Sequence, residues 1–113
     1  VYRLCHYRNG LGRVIPERII TRAPSAELRP DQTDQDSLPP YEVLDPILQL
    51  YVEDDRTAAE IVELGHDEEM VRRVTRLVDI AEYKRRQCPP GVRVSRKAFG
   101  KDRRMPITHG YRG

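Results

Sequence analysis

The apolar residues Met70, Val74, Leu77, Val78 and Ala81 recur at i, i+4, i+7, i+8 and i+11, which places them along one side of a helix. The spacing predicts a long amphipathic helix over 67–87. Asp67 is placed to cap it, Glu68 and Glu69 sit at the positive end of its dipole, and Lys84, Arg85 and Arg86 sit at the negative end. Burying Met70, Val74, Leu77 and Val78 contributes about 1.5–3 kcal/mol each, so this helix is expected to be the main packing element. Its last turn brings Tyr83-Lys84-Arg85-Arg86 to one place, just before Cys88-Pro89-Pro90-Gly91 ends it.

The same reading gives further helices upstream. Over 41–53, Val43, Leu44, Ile47, Leu48 and Tyr51 share a face and Pro40 suits a first turn, but Pro46 lacks a donor and moves the expected start toward Asp45, which can cap. Thr57-Ala58-Ala59-Glu60 has the spacing of a capping box, opening a short helix through Ile61, Val62 and Leu64 that Gly65 closes. Residues 1–8 read as the end of a helix, with Val1, Leu4 and Cys5 on one side and Tyr2 near them, stopped by Asn9-Gly10-Leu11-Gly12. Between 14 and 20, Pro16 can begin a helical turn or Ile19-Ile20-Thr21 can be extended, and so short a stretch leaves both open.

Residues 22–40 carry four prolines and four acids, with Leu28 and Leu38 as their large apolar residues. A run of this length reads as a mobile loop, either a linker or a lid over a site. Residues 88–113 show no usable period and read as an irregular basic tail held by Val92, Val94, Phe99, Met105 and Ile107.

Composition limits the core. Of 113 residues 38% are apolar and 34% charged, with one Phe and no Trp. A core this thin calls for a partner surface, from another copy or from a further part of the same protein, and an opening Val1 fits a fragment. Self-association or a loose fold is the corresponding expectation for the chain by itself. The net charge of +2 conceals a segregation: residues 27–82 hold sixteen acids against five Arg, whereas residues 84–113 hold ten bases against Asp102. Such a tail attracts phosphate, nucleic acid, or the acidic middle of its own chain.

Several classes of chemistry fall away. Cys5 and Cys88 form no Cys-x-x-Cys pair and read as reduced thiols in a cytoplasmic protein. No apolar run reaches membrane-spanning length. His6, His66 and His109 stand in no relation to a nucleophile, and Asp31, Asp34 and Asp36 lack the Gly and terminal Glu of a calcium loop. Residues 57–86 could form a helix-turn-helix that binds nucleic acid. Its second helix, however, opens on Asp67-Glu68-Glu69, which repels phosphate. The residues by themselves describe a helical module that receives an anion.

Two stretches go further. Ile15-Pro16-Glu17-Arg18-Ile19-Ile20 leading into Pro24-Ser25-Ala26-Glu27-Leu28-Arg29-Pro30-Asp31-Gln32, then Asp36-Ser37-Leu38-Pro39-Pro40-Tyr41 and Leu44-Asp45, resembles the carboxyl-terminal part of the glutamine-dependent NAD synthetases. Tyr83-Lys84-Arg85-Arg86-Gln87-Cys88-Pro89-Pro90-Gly91, with Ala98-Phe99-Gly100-Lys101-Asp102-Arg103-Arg104 and Pro106-Ile107, resembles that family's end. The likeness covers nearly all of the chain, in order and spacing.

The resemblance implies a mainly α fold over 1–113, the helical carboxyl-terminal fragment of an α/β synthetase domain of the adenine nucleotide alpha hydrolase-like, Rossmann-like kind. The implied enzyme adenylates deamido-NAD with ATP and Mg2+, then lets ammonia, taken from glutamine by a glutaminase domain, displace AMP to give NAD. The family's Ser-Gly-Gly-x-Asp-Ser loop and its magnesium ligands are absent from these residues, so no catalytic or metal-binding residue is expected here and the fragment by itself should be inactive. Lys84 falls on the family's lysine that contacts deamido-NAD, and Tyr83 replaces a neighbouring His of the ammonia-dependent relatives. Ser25 falls on the hydroxyl residue that contacts ATP, a Thr in the shorter relatives, and 22–40 takes the lid reading. The implied partners are the rest of the synthetase, the glutaminase domain and a second copy in a homo-oligomer. No membrane is implied.

Overall fold

The computed structural model describes residues 1–98, 100–106 and 108–111. Among them the regular structure is helical: α1 (Tyr2–Gly10), α2 (Glu17–Thr21), a 3-10 turn (Asp34–Asp36), α3 (Tyr41–Leu48), a π-helical turn (Gln49–Glu53), α4 (Ala58–Glu63), α5 (Glu68–Ile80) and α6 (Glu82–Arg85). Two compact units divide the chain, Val1–Leu38 and Pro39–Gly113.

In the first unit Asn9, in the last turn of α1, holds the segment that follows the helix. Its Oδ1 accepts from the amides of Val14 and Ile15 at 3.1 and 2.9 Å, and its Nδ2 donates to the Ile15 carbonyl at 2.9 Å. The choice left open at 14–20 resolves to a helix, with Pro16 at the N-cap and Ile20 buried. Helix α1 buries none of its side chains, and Leu4 and Tyr7 are exposed. Residues 22–40 are not wholly irregular, because Thr33 and Asp36 form a reciprocal capping box around the 3-10 turn.

The second unit holds the main apolar core, a cluster of Leu44, Ile47, Tyr51, Val52, Ile61, Val71, Val74 and Val78. Helix α3 starts at Tyr41 behind Pro40 and runs through Pro46, so the expected start near Asp45 is corrected. Pro46 forfeits the helical bond to the Glu42 carbonyl, and burial of Leu44 and Ile47 on the same short helix offsets that loss. Val43, expected in the buried face, is 41% exposed. After Leu48 the helix widens into the π turn, where the Asp54 amide donates to the Gln49 carbonyl. The wider turn lets the adjacent residues Tyr51 and Val52 both enter the core.

The capping box at Thr57 and Glu60 forms as expected, with Glu60 N donating to Thr57 Oγ1 at 3.3 Å and Thr57 N donating to Glu60 Oε2 at 2.8 Å. Gly65, at φ +97°, makes the turn after α4 in a conformation that a side chain would oppose. Asp67 caps α5 by accepting from the Met70 amide at 2.8 Å.

Helix α5 corrects the sequence reading twice. Its buried face is Val71, Val74, Thr75, Val78 and Asp79, with Met70 and Leu77 only half-buried at its flank. A count of apolar residues misses this rotation because two of the buried positions are polar and satisfied. Thr75 Oγ1 donates to the Val71 carbonyl at 2.9 Å, and Asp79 accepts from Tyr51. The helix also breaks at Ala81 instead of continuing to 87, and α6 is a separate turn.

The tail is held by charge. Val92 and Val94, expected to pin it, are 91% and 81% exposed. Phe99 and Ile107 lie outside the described residues. Lys97 pairs with Asp55, Arg96 with Asp54 at 3.9 Å, and Arg103 with Asp79 at 3.5 Å, so the basic tail folds onto the acidic middle of the chain.

Candidate functional site

Helix α6 presents Tyr83 and Lys84 outward and turns Glu82 and Arg85 inward. At the break the Val78 carbonyl has a side-chain partner. Arg85 Nη1 donates to the Val78 carbonyl at 2.6 Å, an acceptor that the Glu82 amide would take in a continuous helix. The other arm of the same guanidinium donates to Glu82, and both side chains are 5% exposed. Arg86 Nε donates to the second Glu82 oxygen at 3.3 Å, and the Met105 amide also donates to this carboxylate.

These contacts fix the charge of Glu82. Burial works to raise its pKa, but hydrogen bonding and charge from Arg85, the Met105 amide and Arg86 outweigh burial and hold it below the ordinary carboxylate value of 4.5. Glu82 is therefore fully engaged away from Lys84. Among the described residues Lys84 forms no ion pair, and its ammonium lies 5.9 Å from the centre of the Tyr83 ring. Tyr83 is 54% exposed and Lys84 is exposed. An ammonium beside an exposed aromatic ring, with its neighbouring acid already occupied, is available to a carboxylate or phosphate.

The tail passes alongside. Arg86 Nη2 donates to the Met105 carbonyl at 2.7 Å. Two residues earlier, Arg103 Nη1 donates to the Tyr51 carbonyl at 3.2 Å and its guanidinium stacks 4.0 Å from the centre of the Tyr51 ring. Burial pushes the Tyr51 phenol up to about 12 against the opposing effect of Arg103, and Asp79 pushes the same way as burial. Sequence reasoning missed two ion pairs at buried carboxylates, Glu82 with Arg85 and Asp79 with Arg103. For the first pair the available signal was the continuation of the stripe from Val71 and Val78 into Glu82 and Arg85 at helical spacing.

Ser25 belongs to the first unit. It is half-buried, and its Oγ accepts from the Glu27 amide at 3.0 Å. Around it, Asp34 N donates to the Pro24 carbonyl at 2.9 Å and Leu28 N to Gln32 Oε1 at 3.0 Å, while Glu27 and Asp31 take left-handed φ values of 53° and 55°. Thr33, through its amide and then its hydroxyl, holds the Asp36 carboxyl below its ordinary pKa. Among the described residues no three His, Cys, Asp or Glu side chains are grouped to hold a metal. No helix among them is long and apolar enough to cross a membrane.

A family model described as NAD synthase matches residues 1–88, which include Ser25, Tyr83 and Lys84. The glutamine-dependent NAD(+) synthetase of Acinetobacter baylyi is 56% identical over 114 residues, covering 99% of this chain and 21% of that protein. Its counterpart from Xanthomonas campestris pv. campestris is 53% identical over 115 residues, covering 100% and 21%. Among solved structures, glutamine-dependent NAD+ synthetase from Acinetobacter baumannii in complex with ADP is similar with a TM-score of 0.62 and 45% identity, covering 96% of this chain and 18% of that one. The chain thus spans about a fifth of the length of the curated relatives it matches. None of these matches supports the helix-turn-helix alternative. With the family model covering most of its length and these identities across nearly all of it, this chain belongs to the NAD synthase family.

Proposed function

We propose that this chain is a segment of a glutamine-dependent NAD synthetase, and that Lys84 and Tyr83 form part of its site for deamido-NAD. The observation that carries the reading is Lys84 itself: it lies within the matched residues, is exposed and forms no ion pair among the described residues, while its acidic neighbour Glu82 is locked to Arg85. In the proposed reaction the nicotinate carboxylate of deamido-NAD attacks the α-phosphorus of ATP and pyrophosphate leaves. Ammonia then displaces AMP to form the amide of NAD. Lys84 neutralises an anionic group of deamido-NAD, and Tyr83 flanks it.

Ser25 contributes a hydroxyl to ATP, with residues 22–40 ordering as a lid that keeps water from the adenylate. The backbone bonds around Pro24 and Asp34 and the Thr33 capping box support an ordered form of this loop. Residues 88–113 act as a basic tail that braces α6. The Rossmann-like sheet, the magnesium ligands and the glutaminase domain belong to other parts of the enzyme, which works in the cytoplasm as a homo-oligomer. The exposed Leu4 and Tyr7 of α1 support a further partner surface.

The test is turnover by the full-length protein. With ATP, magnesium, deamido-NAD and ammonia it should release AMP and NAD in equal amounts, and glutamine should replace ammonia. A full-length protein that releases no AMP under these conditions contradicts the proposal.

A further inference from the structure

A single helical turn does not hold itself in one orientation. Helix α6 is such a turn, and its inward side chains are the buried ionic residues Glu82 and Arg85. Arg85 ties it back to the Val78 carbonyl at the end of α5 and pairs with Glu82 within the turn. Arg86 holds Glu82 at 3.3 Å and ties the turn to the Met105 carbonyl at 2.7 Å, and the Met105 amide returns a bond to Glu82. Folding stability alone does not call for this arrangement, since apolar residues of similar volume in place of a buried ion pair are often neutral or stabilising. What the pair supplies is direction. The buried carboxylate lies two residues before Lys84 and the buried guanidinium one residue after it, and together they set the angle at which Lys84 leaves the protein.

We propose that Glu82 and Arg85 are positioning residues for substrate binding at Lys84, setting the affinity for deamido-NAD without touching it. This rests on the assignment of Lys84 to deamido-NAD. Arg85→Lys keeps a positive charge beside Glu82 but lacks the fork that reaches Val78 and Glu82 at once. Arg86→Lys, at a partly exposed guanidinium that also holds Glu82, is the milder second variant.

The experiment is a double-mutant cycle in the full-length synthetase, with deamido-NAD varied at saturating ATP and ammonia. Arg85→Lys should raise KM for deamido-NAD by about tenfold while kcat stays within about twofold. In a Lys84→Ala background, the same change should alter KM by less than about twofold, because the group it positions is already gone. Arg86→Lys should follow the same non-additive pattern with a smaller effect, and it decides the matter if Arg85→Lys does not fold. Equal factors in both backgrounds, or unchanged KM in both variants while Lys84→Ala raises it, overturn the positioning role. If Lys84→Ala leaves KM unchanged, the assignment of Lys84 fails and the positioning role fails with it.

Discussion

The Tyr51 hydroxyl donates to both carboxylate oxygens of Asp79, at 3.1 and 3.2 Å, joining the π turn to the last turn of α5 inside the core. Arg103 closes this pair from the tail, stacked on the same ring. One buried carboxylate therefore sets the relation between two helical elements and a segment 24 residues further along.

Removing the Tyr51 hydroxyl should cost stability without emptying the core. Tyr51→Phe keeps the ring and the Arg103 stacking but removes a hydrogen bond to a charged acceptor, worth about 1.5–3 kcal/mol. Asp79→Ala should cost more, because it leaves the Arg103 charge unpaired at a largely buried position. Urea unfolding of the three proteins measures both effects.

Alkaline pH should reveal the same hydroxyl. The folded-state pKa of Tyr51 is raised from 10.0 to about 12, so its contribution is fully present below pH 10 and is lost as pH rises toward 12. The melting temperature should fall more steeply between pH 10 and 12 in the parent than in Tyr51→Phe. Parallel curves would mean that Tyr51 ionises as easily folded as unfolded.

Acid acts on Glu82 with the opposite sign. Its folded pKa lies below 4.5, so the stability it contributes is present above that value and is lost as pH falls through the depressed one. Glu82→Gln should flatten the acid limb of the melting curve below about pH 4.5 while lowering stability at neutral pH. Thermal melts from pH 3 to 7 check it.

Local signals were legible and long-range ones were not. Thr57 with Glu60 and Asp67 with Met70 lie three residues apart, so their bonds follow from spacing, and both form. The bond from Arg85 to the Val78 carbonyl spans the break at Ala81, and the buried face of α5 depends on Tyr51 and Arg103 reaching Asp79 from 28 and 24 residues away. No periodicity contains those distances. Pro46 misled for a related reason, since a helix can lose one bond where its flanking residues Leu44 and Ile47 are buried. For the candidate site, the family resemblance points to Lys84 and Tyr83, while the buried ionic support beneath them rests on contacts that no sequence pattern singles out.

The Thr57 cap gives a stability test that is independent of the site. Thr57→Ala removes the acceptor for the Glu60 amide and should cost about 1 kcal/mol, whereas Thr57→Ser retains it and should cost less. Equal losses would assign the effect to the Thr57 methyl group.

The most direct test of the account is the catalytic efficiency of Lys84→Ala in the full-length enzyme, measured for deamido-NAD with ammonia and again with glutamine. Losing one charge-assisted contact of about 1.5–3 kcal/mol predicts a fall of roughly tenfold to a hundredfold with either nitrogen source, with glutaminase turnover much less affected. Because Lys84 is exposed, its melting temperature should stay close to that of the parent. An efficiency within about twofold of the parent, or a lowered melting temperature as the main effect, would contradict the assignment of Lys84 to the substrate site.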